Sequence, residues 1–265
     1  MEKILDPLYK ENSQPDIGGG LGNQGSWTVT FSSADGNNNY FYITVDDGGL
    51  IDENLFPFLP ANPGYYCIFE GWDQYQGSNL NDEWDFDTYT VNYDITLYAK
   101  WKPYACGDTG PGGGTIFYTD ESGFTMTNTN EPETCWYLEV GAVEPALIWS
   151  GVLFYVLNTQ EGIGTGRKNT ALILDVVRDS NLLTAAAAEY CDGYSSNGLN
   201  DWFLPSKDEL ATLSAYYGDK TQAGGCWSSS EFDIANAWFW NFFTNSGESR
   251  RKDITIGSVY PIRAF

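Results

Sequence analysis

The stretch "CWSSSEFDIANAWFWNFF", residues 226–243, sets three serines and Glu231 directly ahead of an aromatic run carrying Trp238 and Trp240. A serine cluster suggests a nucleophile, yet the chain has no histidine. A Ser-His-Asp triad, a Cys-His pair and histidine metal sites are therefore excluded. Ser-Lys and carboxylate-pair chemistry survive on paper, but no base stands near Ser228, Ser229 or Ser230 in sequence, and only Lys207 or Lys252 could approach in space. Serines following a core tryptophan more often bond to backbone and cap turns. In "NAWFWNFF" a strand places Ala237, Phe239 and Asn241 on one face and Trp238, Trp240 and Phe242 on the other. A core accounts for one bulky face. A second one beside Arg250 and Arg251 has the composition of a binding hot spot.

The rest of the chain narrows the classes. Its 265 residues suffice for two domains, and a hydrophobic content of 42% with 16% aromatics supports a packed core. A formal charge of -23, from 13 basic and 36 acidic residues, argues against nucleic acid and anionic lipid as partners. No Lys or Arg lies between Lys10 and Lys100, whereas Arg250, Arg251, Lys252 and Arg263 crowd the C-terminal end. None of Cys67, Cys106, Cys135, Cys191 and Cys226 forms a C-x-x-C pair, so no zinc ribbon or redox motif is expected. A composition rich in Tyr, Trp, Asn, Gly and Thr reads as exported, with one or two disulfides and an odd thiol left over. No run reaches membrane-span length, and "MEKILDPLYK" lacks the apolar core of a signal peptide.

Along the chain, residues 1–25 end in "DIGGGLGNQG", a flexible lead-in. "WTVTF" and "YFYITV" read as strands separated by the turn composition "SSADGNNN", and further short aromatic or β-branched pieces follow to Trp101. "KPYACGDTGPGGG" (102–114) is the boundary. Beyond it, "GTIFYTD" and "CWYLEV" read as strands, and "NTALILDVVRDS" and "NLLTAAAAEYC" as helices. Ser206 and Glu209 form a capping box below Leu204, with Leu210 and Leu213 following, which predicts a helix over 207–217. After "GDKTQAGG" strands resume to the C-terminus. The order is an all-β module followed by an α+β module.

Other motifs carry less. "EGIGTGRKNT" (161–170) fails the P-loop pattern because Arg-Lys-Asn follows its last glycine, and reads as a glycine turn feeding a helix near Thr170. No EF-hand loop is present. "QPD" (14–16) and "EPE" (131–133) echo calcium-lectin tripeptides without their W-N-D partner. No metal and no cofactor is expected.

Residues 27–102 resemble the internalin-type B-repeat of bacterial surface proteins, through "WTVTF", "PGYYCIFEGWD" and "EWDFDTYTVNYDITLYAKW". That resemblance implies a small β-grasp-like spacer or adhesive module over 26–102. Residues 104–265 resemble the C-terminal domain of a collagen-like bacterial adhesin family, through "GPGGGTIFY", "WYLEV", "GIGTGRKNTALIL", "AAAAEYC", "DWFLPSKDEL", "WSSSE", "NAW" and "PIRAF". It implies an α+β chain whose residues 103–265 form a C-type-lectin-like domain of the formylglycine-generating-enzyme-like subtype. Tyr260 stands where that family's ending has Arg. An oxidase of that type is not expected, since its closely spaced C-terminal cysteine pair is missing.

Proteins with this ending also resemble the variable proteins of diversity-generating retroelements, in which scattered C-terminal positions vary on a fixed frame. The resemblance implies a frame of Trp227, Ser228, Ser229, Ser230, Glu231, Ala237, Trp238, Gly247, Lys252, Pro261 and Arg263. It implies ligand-contacting positions at Cys226, Asp233, Ile234, Trp240, Phe243, Asn245, Glu248, Arg250, Arg251, Asp253 and Thr255. The expected function is a non-enzymatic surface protein, extracellular or anchored to the cell, for instance through a lipid on its precursor. Its partner would be a protein or glycan outside the cell. The alternatives are a fixed adhesin for glycans, sulfated ones included, using Arg250, Arg251 and Lys252, and an enzyme relying on Ser228, Ser229 or Ser230.

Overall fold

The computed structural model describes residues 25–32, 40–52, 67–75, 83–127, 132–180, 184–218 and 224–265. The lead-in before Gly25, the turn at 33–39, the "QPD" tripeptide, most of "GDKTQAGG" and the start of "EPE" lie outside them. The chain divides into two compact units. One comprises Met1–Pro63 and Phe69–Trp101, the other Gly64–Ile68 and Lys102–Phe265.

The first unit is a four-stranded sheet of β1 (Ser26–Ser32), β2 (Tyr40–Asp46), β3 (Cys67–Asp73) and β4 (Ile95–Pro103), in the order β2-β1-β4-β3. β1 and β2 pair antiparallel, with Phe31 opposite Phe41, and β1 pairs parallel with β4, with Phe31 beside Leu97. Alternation explains the core: Val29 and Phe31 on β1 and Ile95, Leu97 and Ala99 on β4 point to one side, where Trp72 and Trp84 close over them.

Among the described residues, the second unit holds two sheets and three helices. β5 (Thr115–Met126), β6 (Glu133–Val140) and β12 (Ile262–Ala264) make an antiparallel sheet ordered β12-β6-β5. β7 (Glu144–Ile148), β8 (Gly225–Glu231), β9 (Asn236–Asn241), β10 (Ser246–Arg251) and β11 (Ile256–Val259) make a second, ordered β10-β9-β8-β11-β7. The helices are α1 (Gly166–Arg178), α2 (Ala186–Gly193) and α3 (Lys207–Tyr217). One face of the five-stranded sheet buries Trp227, Ala237 and Phe239 against Ile173 and Leu174 of α1 and the alanines of α2. Leu210 and Leu213 of α3 join Phe117, Leu138, Cys226, Phe242 and Tyr260 in the other core cluster.

The expected α+β class with a C-type-lectin-like domain does not hold. Of the described residues 43% lie in strands and 16% in helices, so the chain is mostly β-sheet. Helix-forming composition is confined to three short segments of 13, 8 and 11 residues. Elsewhere, aromatic and β-branched runs cut by Gly, Asn and Asp favour extended backbone. The expected disulfides are also absent: no two of the five cysteines are joined. Cys135, Cys191 and Cys226 instead serve as buried apolar side chains.

Two local devices fix the second unit. The first is the capping box of α3: Glu209 N donates to Ser206 Oγ (3.3 Å), while Ser206 N donates to Glu209 Oε2 (2.7 Å). Glu209 is fully buried and also accepts from the Gly164 amide (2.8 Å), tying the turn before α1 to the start of α3. Burial pushes its carboxyl up to about 7, against those amides. The second device is Phe239, whose ring comes against Gly225 of β8 and Gly257 of β11. A Cβ at Gly225 would stand 1.7 Å from that ring and one at Gly257 2.4 Å, so only glycine admits it.

Gly257→Val should therefore lower stability by roughly 1–3 kcal/mol through overpacking, read as a shift in urea midpoint, and Phe239→Leu in the same chain should recover part of it. A second expectation concerns pH. The folded chain holds a proton on Glu209 that the unfolded chain, near 4.5, gives up. This contribution is complete below about pH 4.5 and is lost as pH rises through about 7, a change on the order of 3 kcal/mol. Urea titrations across that window should show a fall in midpoint that Glu209→Gln lacks.

Candidate functional site

Three connections meet at one end of the five-stranded sheet: the segment after β7, the β8–β9 turn and the β10–β11 turn. Lys252 joins them. It is fully buried, and its ammonium pairs with Glu231, donates to Phe154 O (2.9 Å) and stands 4.6 Å from the Trp149 ring centre. Its amide donates to Ala235 O (3.0 Å) and its carbonyl accepts from the Ser150 amide (3.3 Å). Glu231 completes the junction by accepting from the Val156 amide (2.8 Å). Burial pushes the lysine down and the carboxyl up, and each offsets this for the other.

Above this junction the connections expose apolar side chains. Tyr155 and Leu157 stand 52% and 65% exposed, Ile234 61% and Ile254 68%, while their neighbours Phe154 and Val156 are buried. Phe232 is exposed on the β8–β9 turn and rests edge-on against Trp238. Asp233 shapes that turn by accepting from the amides of Ala235 and Asn236, both at 2.8 Å. The Asn236 side chain and the Ala235 amide hold its carboxyl below the usual range.

The eleven positions named from sequence do not form one patch. Asp233, Ile234, Arg251, Asp253 and Thr255 lie at the junction end, with Arg250 one residue back along β10. Phe243 and Asn245 lie in the β9–β10 turn, at the far end of a six-residue hairpin about 17 Å long. Phe243 is 84% exposed there, and Asn245 accepts from Ser214 Oγ (2.9 Å). Glu248 pairs with Arg250. Cys226 is no surface position at all: it is 1% exposed within the core, where burial pushes its thiol far up.

The second aromatic face of β9 is largely covered. Trp240 packs on the α3 side over Gly247, and Phe242 is buried against Tyr217 and Tyr260. Trp238 lies under the Lys207 ammonium (3.8 Å to the ring centre) and donates to Glu161 Oε1 (2.8 Å). The basic cluster is equally committed. Lys252 is inaccessible, and Arg250 and Arg251 pair with Glu248 and Asp253.

The serines are also occupied. Ser228 Oγ donates to Trp238 O (2.9 Å) and Ser230 Oγ to Gln160 O (2.7 Å), while Ser229 Oγ accepts from Asn169 Nδ2 (3.2 Å). All three are buried. Among the described residues no group of three Cys, Asp or Glu side chains could hold a metal, and no helix is long and apolar enough to cross a membrane.

Sequence reasoning missed the exposed run after β7. Burial alternates there, with Phe154 and Val156 buried and Leu153, Tyr155 and Leu157 exposed, but "LFYVL" (153–157) is apolar at every position, so its sequence shows no alternation to read.

Residues 27–100 match the family described as the Listeria-Bacteroides repeat domain. Two proteins of Evansella cellulosilytica are similar to this chain. One, described as a Gly-rich membrane protein, is 40% identical over 76 residues, covering 29% of this chain and 8% of the relative. The other, described as a membrane protein, is 32% identical over 110 residues, covering 40% and 15%. The chain thus spans less than a fifth of the length of either. A solved fimbrial protein from Bacteroides ovatus aligns with a TM-score of 0.43 and 16% identity, over 66% of this chain and 50% of that one.

Because both members of the Lys252–Glu231 pair are buried, removing one strands the other. Lys252→Met alone should cost about 3–5 kcal/mol, and the double change Lys252→Met with Glu231→Leu markedly less. A double-mutant cycle in urea measures the difference.

Proposed function

We propose that this chain is part of a bacterial surface protein of adhesin-like kind, and that its second unit binds a ligand outside the cell through the junction end of the five-stranded sheet. The observation that carries this reading is the exposure of Tyr155, Leu157, Ile234 and Ile254 above a fully buried ion pair. Exposed apolar groups on a rigidly held frame offer contact area at small ordering cost. The repeat-domain match over 27–100 and the two membrane-protein relatives support a surface setting. Binding in this reading works by shape and apolar contact, without turnover.

A diversified site is favoured by one further observation. Trp227, the three serines, Lys252, Pro261 and Arg263 are buried, whereas most positions between them at the junction end reach solvent. Changes there would leave the frame intact. Comparing this gene across independent isolates tests the idea: variation concentrated at 233–234, 250–251 and 253–255, with Lys252 and the other buried positions constant, is the expected pattern. A uniform tail would mean a fixed site.

Arrays of purified matrix proteins and glycans test binding itself. The expected hit is a protein retained in about 0.5 M salt, since apolar contact is not screened, and lost in Ile234→Asp or Ile254→Asp with the urea midpoint unchanged. A hit that disappears with salt and in Arg250→Ala, but survives both isoleucine changes, would instead support the glycan alternative.

A further inference from the structure

A second feature of this unit is independent of the junction end. The β5–β6 hairpin pairs Thr119 with Tyr137 and then Phe124 with Cys135. Four residues of β5, Asp120 to Gly123, therefore face a single residue of β6, Trp136. Gly123 makes this bulge with φ of +77°, and a Cβ there would meet Thr134 Cγ2 at 2.7 Å and Trp136 Nε1 at 3.1 Å. Bulges of this kind re-aim side chains, and they recur beside binding sites.

The bulge borders a cleft of about 320 Å³ lined by Pro103, Tyr104, Thr119, Asp120, Glu121, Trp136 and Tyr137. That volume falls in the range of small-ligand sites. The aromatic wall is preorganised: Tyr104 and Tyr137 meet edge to face at 5.6 Å, and Phe265 stands 5.7 and 5.3 Å from them. Asp120 is held in place, accepting from the Ser122 amide (2.9 Å) and lying 3.5 Å from the Tyr118 hydroxyl.

Charge selects the ligand. Two carboxylates and three aromatic rings line the cleft, and no Lys or Arg does. Neither Asp120 nor Glu121 forms an ion pair among the described residues. Aromatic faces carry negative potential and attract alkylammonium groups, most strongly where carboxylates reinforce them. The chain's charge of -23 adds to this. We propose that this cleft binds an alkylammonium group, carried by a small quaternary amine or by a lysine side chain of a partner.

The test is titration of the full chain with tetramethylammonium, choline, an N-acetyl-lysine amide and 3,3-dimethylbutanol, the uncharged counterpart of choline, followed by tryptophan fluorescence and calorimetry. Saturable binding of one or more ammonium compounds is expected, with the alcohol at least about tenfold weaker. Trp136→Leu should weaken binding about tenfold or more, and Asp120→Asn with Glu121→Gln should weaken it while leaving the urea midpoint unchanged. Preference for choline or tetramethylammonium identifies a small-molecule source, and preference for the lysine derivative a protein one. The proposal is overturned if the alcohol binds as well as choline, if nothing binds at about 50 mM, or if Trp136→Leu and the double carboxylate variant both bind like the parent.

Discussion

One ammonium group organises the second unit. Lys252 is buried because three chain connections close over it, and they can close because it satisfies their carbonyls while Glu231 neutralises it. A buried charge without its partner is costly, so the pair acts as an all-or-none condition. When it forms, the segment after β7, the β8–β9 turn and the β10–β11 turn take fixed positions, and Trp149 adds a ring over the cation and donates to Ser228 O (2.9 Å). The loops inherit their order from the interior.

The same economy appears at Glu209 and Glu139. Glu209 links the turn before α1 to the start of α3 through backbone amides. Glu139, fully buried, accepts from the amides of Gly112 and Gly114 and from Arg263, which also grips Asp201. The glycine-rich stretch at 110–114, which reads as a turn or linker, is thereby clamped onto β6. Each of these two buried carboxylates accepts from two backbone amides, which satisfies it inside the unit.

Local signals were legible wherever short-range physics decides. The capping box placed α3 over 207–217, where it lies, and the aromatic alternation put Ala237 and Phe239 on one face of β9, which the structure shows to be the buried one. Period two tells which residues share a face but not what covers the other one. Helix α3 packs there, so the Trp240 and Phe242 face is mostly interior. The fold class failed for a related reason: helix propensity in "TAAAAEYC" marks a helix, but not how little helix accompanies the eight strands among the described residues of the unit. Lys252 and Glu231, 21 positions apart, meet only through sheet topology, and no local pattern announces that. Cys226 looked like a variable surface position by alignment to a motif, while its strand sits in the middle of the sheet, between β9 and β11.

The strand order carries one more implication. β10 is an outer strand, with half of its backbone hydrogen-bonding groups facing away from β9. Such an edge is a template onto which another extended chain can add, and a protein displayed at high density would risk stacking into fibres. "SGESRR" is poorly suited to that role, because Glu248, Arg250 and Arg251 hold charges of both signs along it. An incoming strand would have to strip water from each of them. Charges of both signs along this edge thus disfavour the addition of another strand to it.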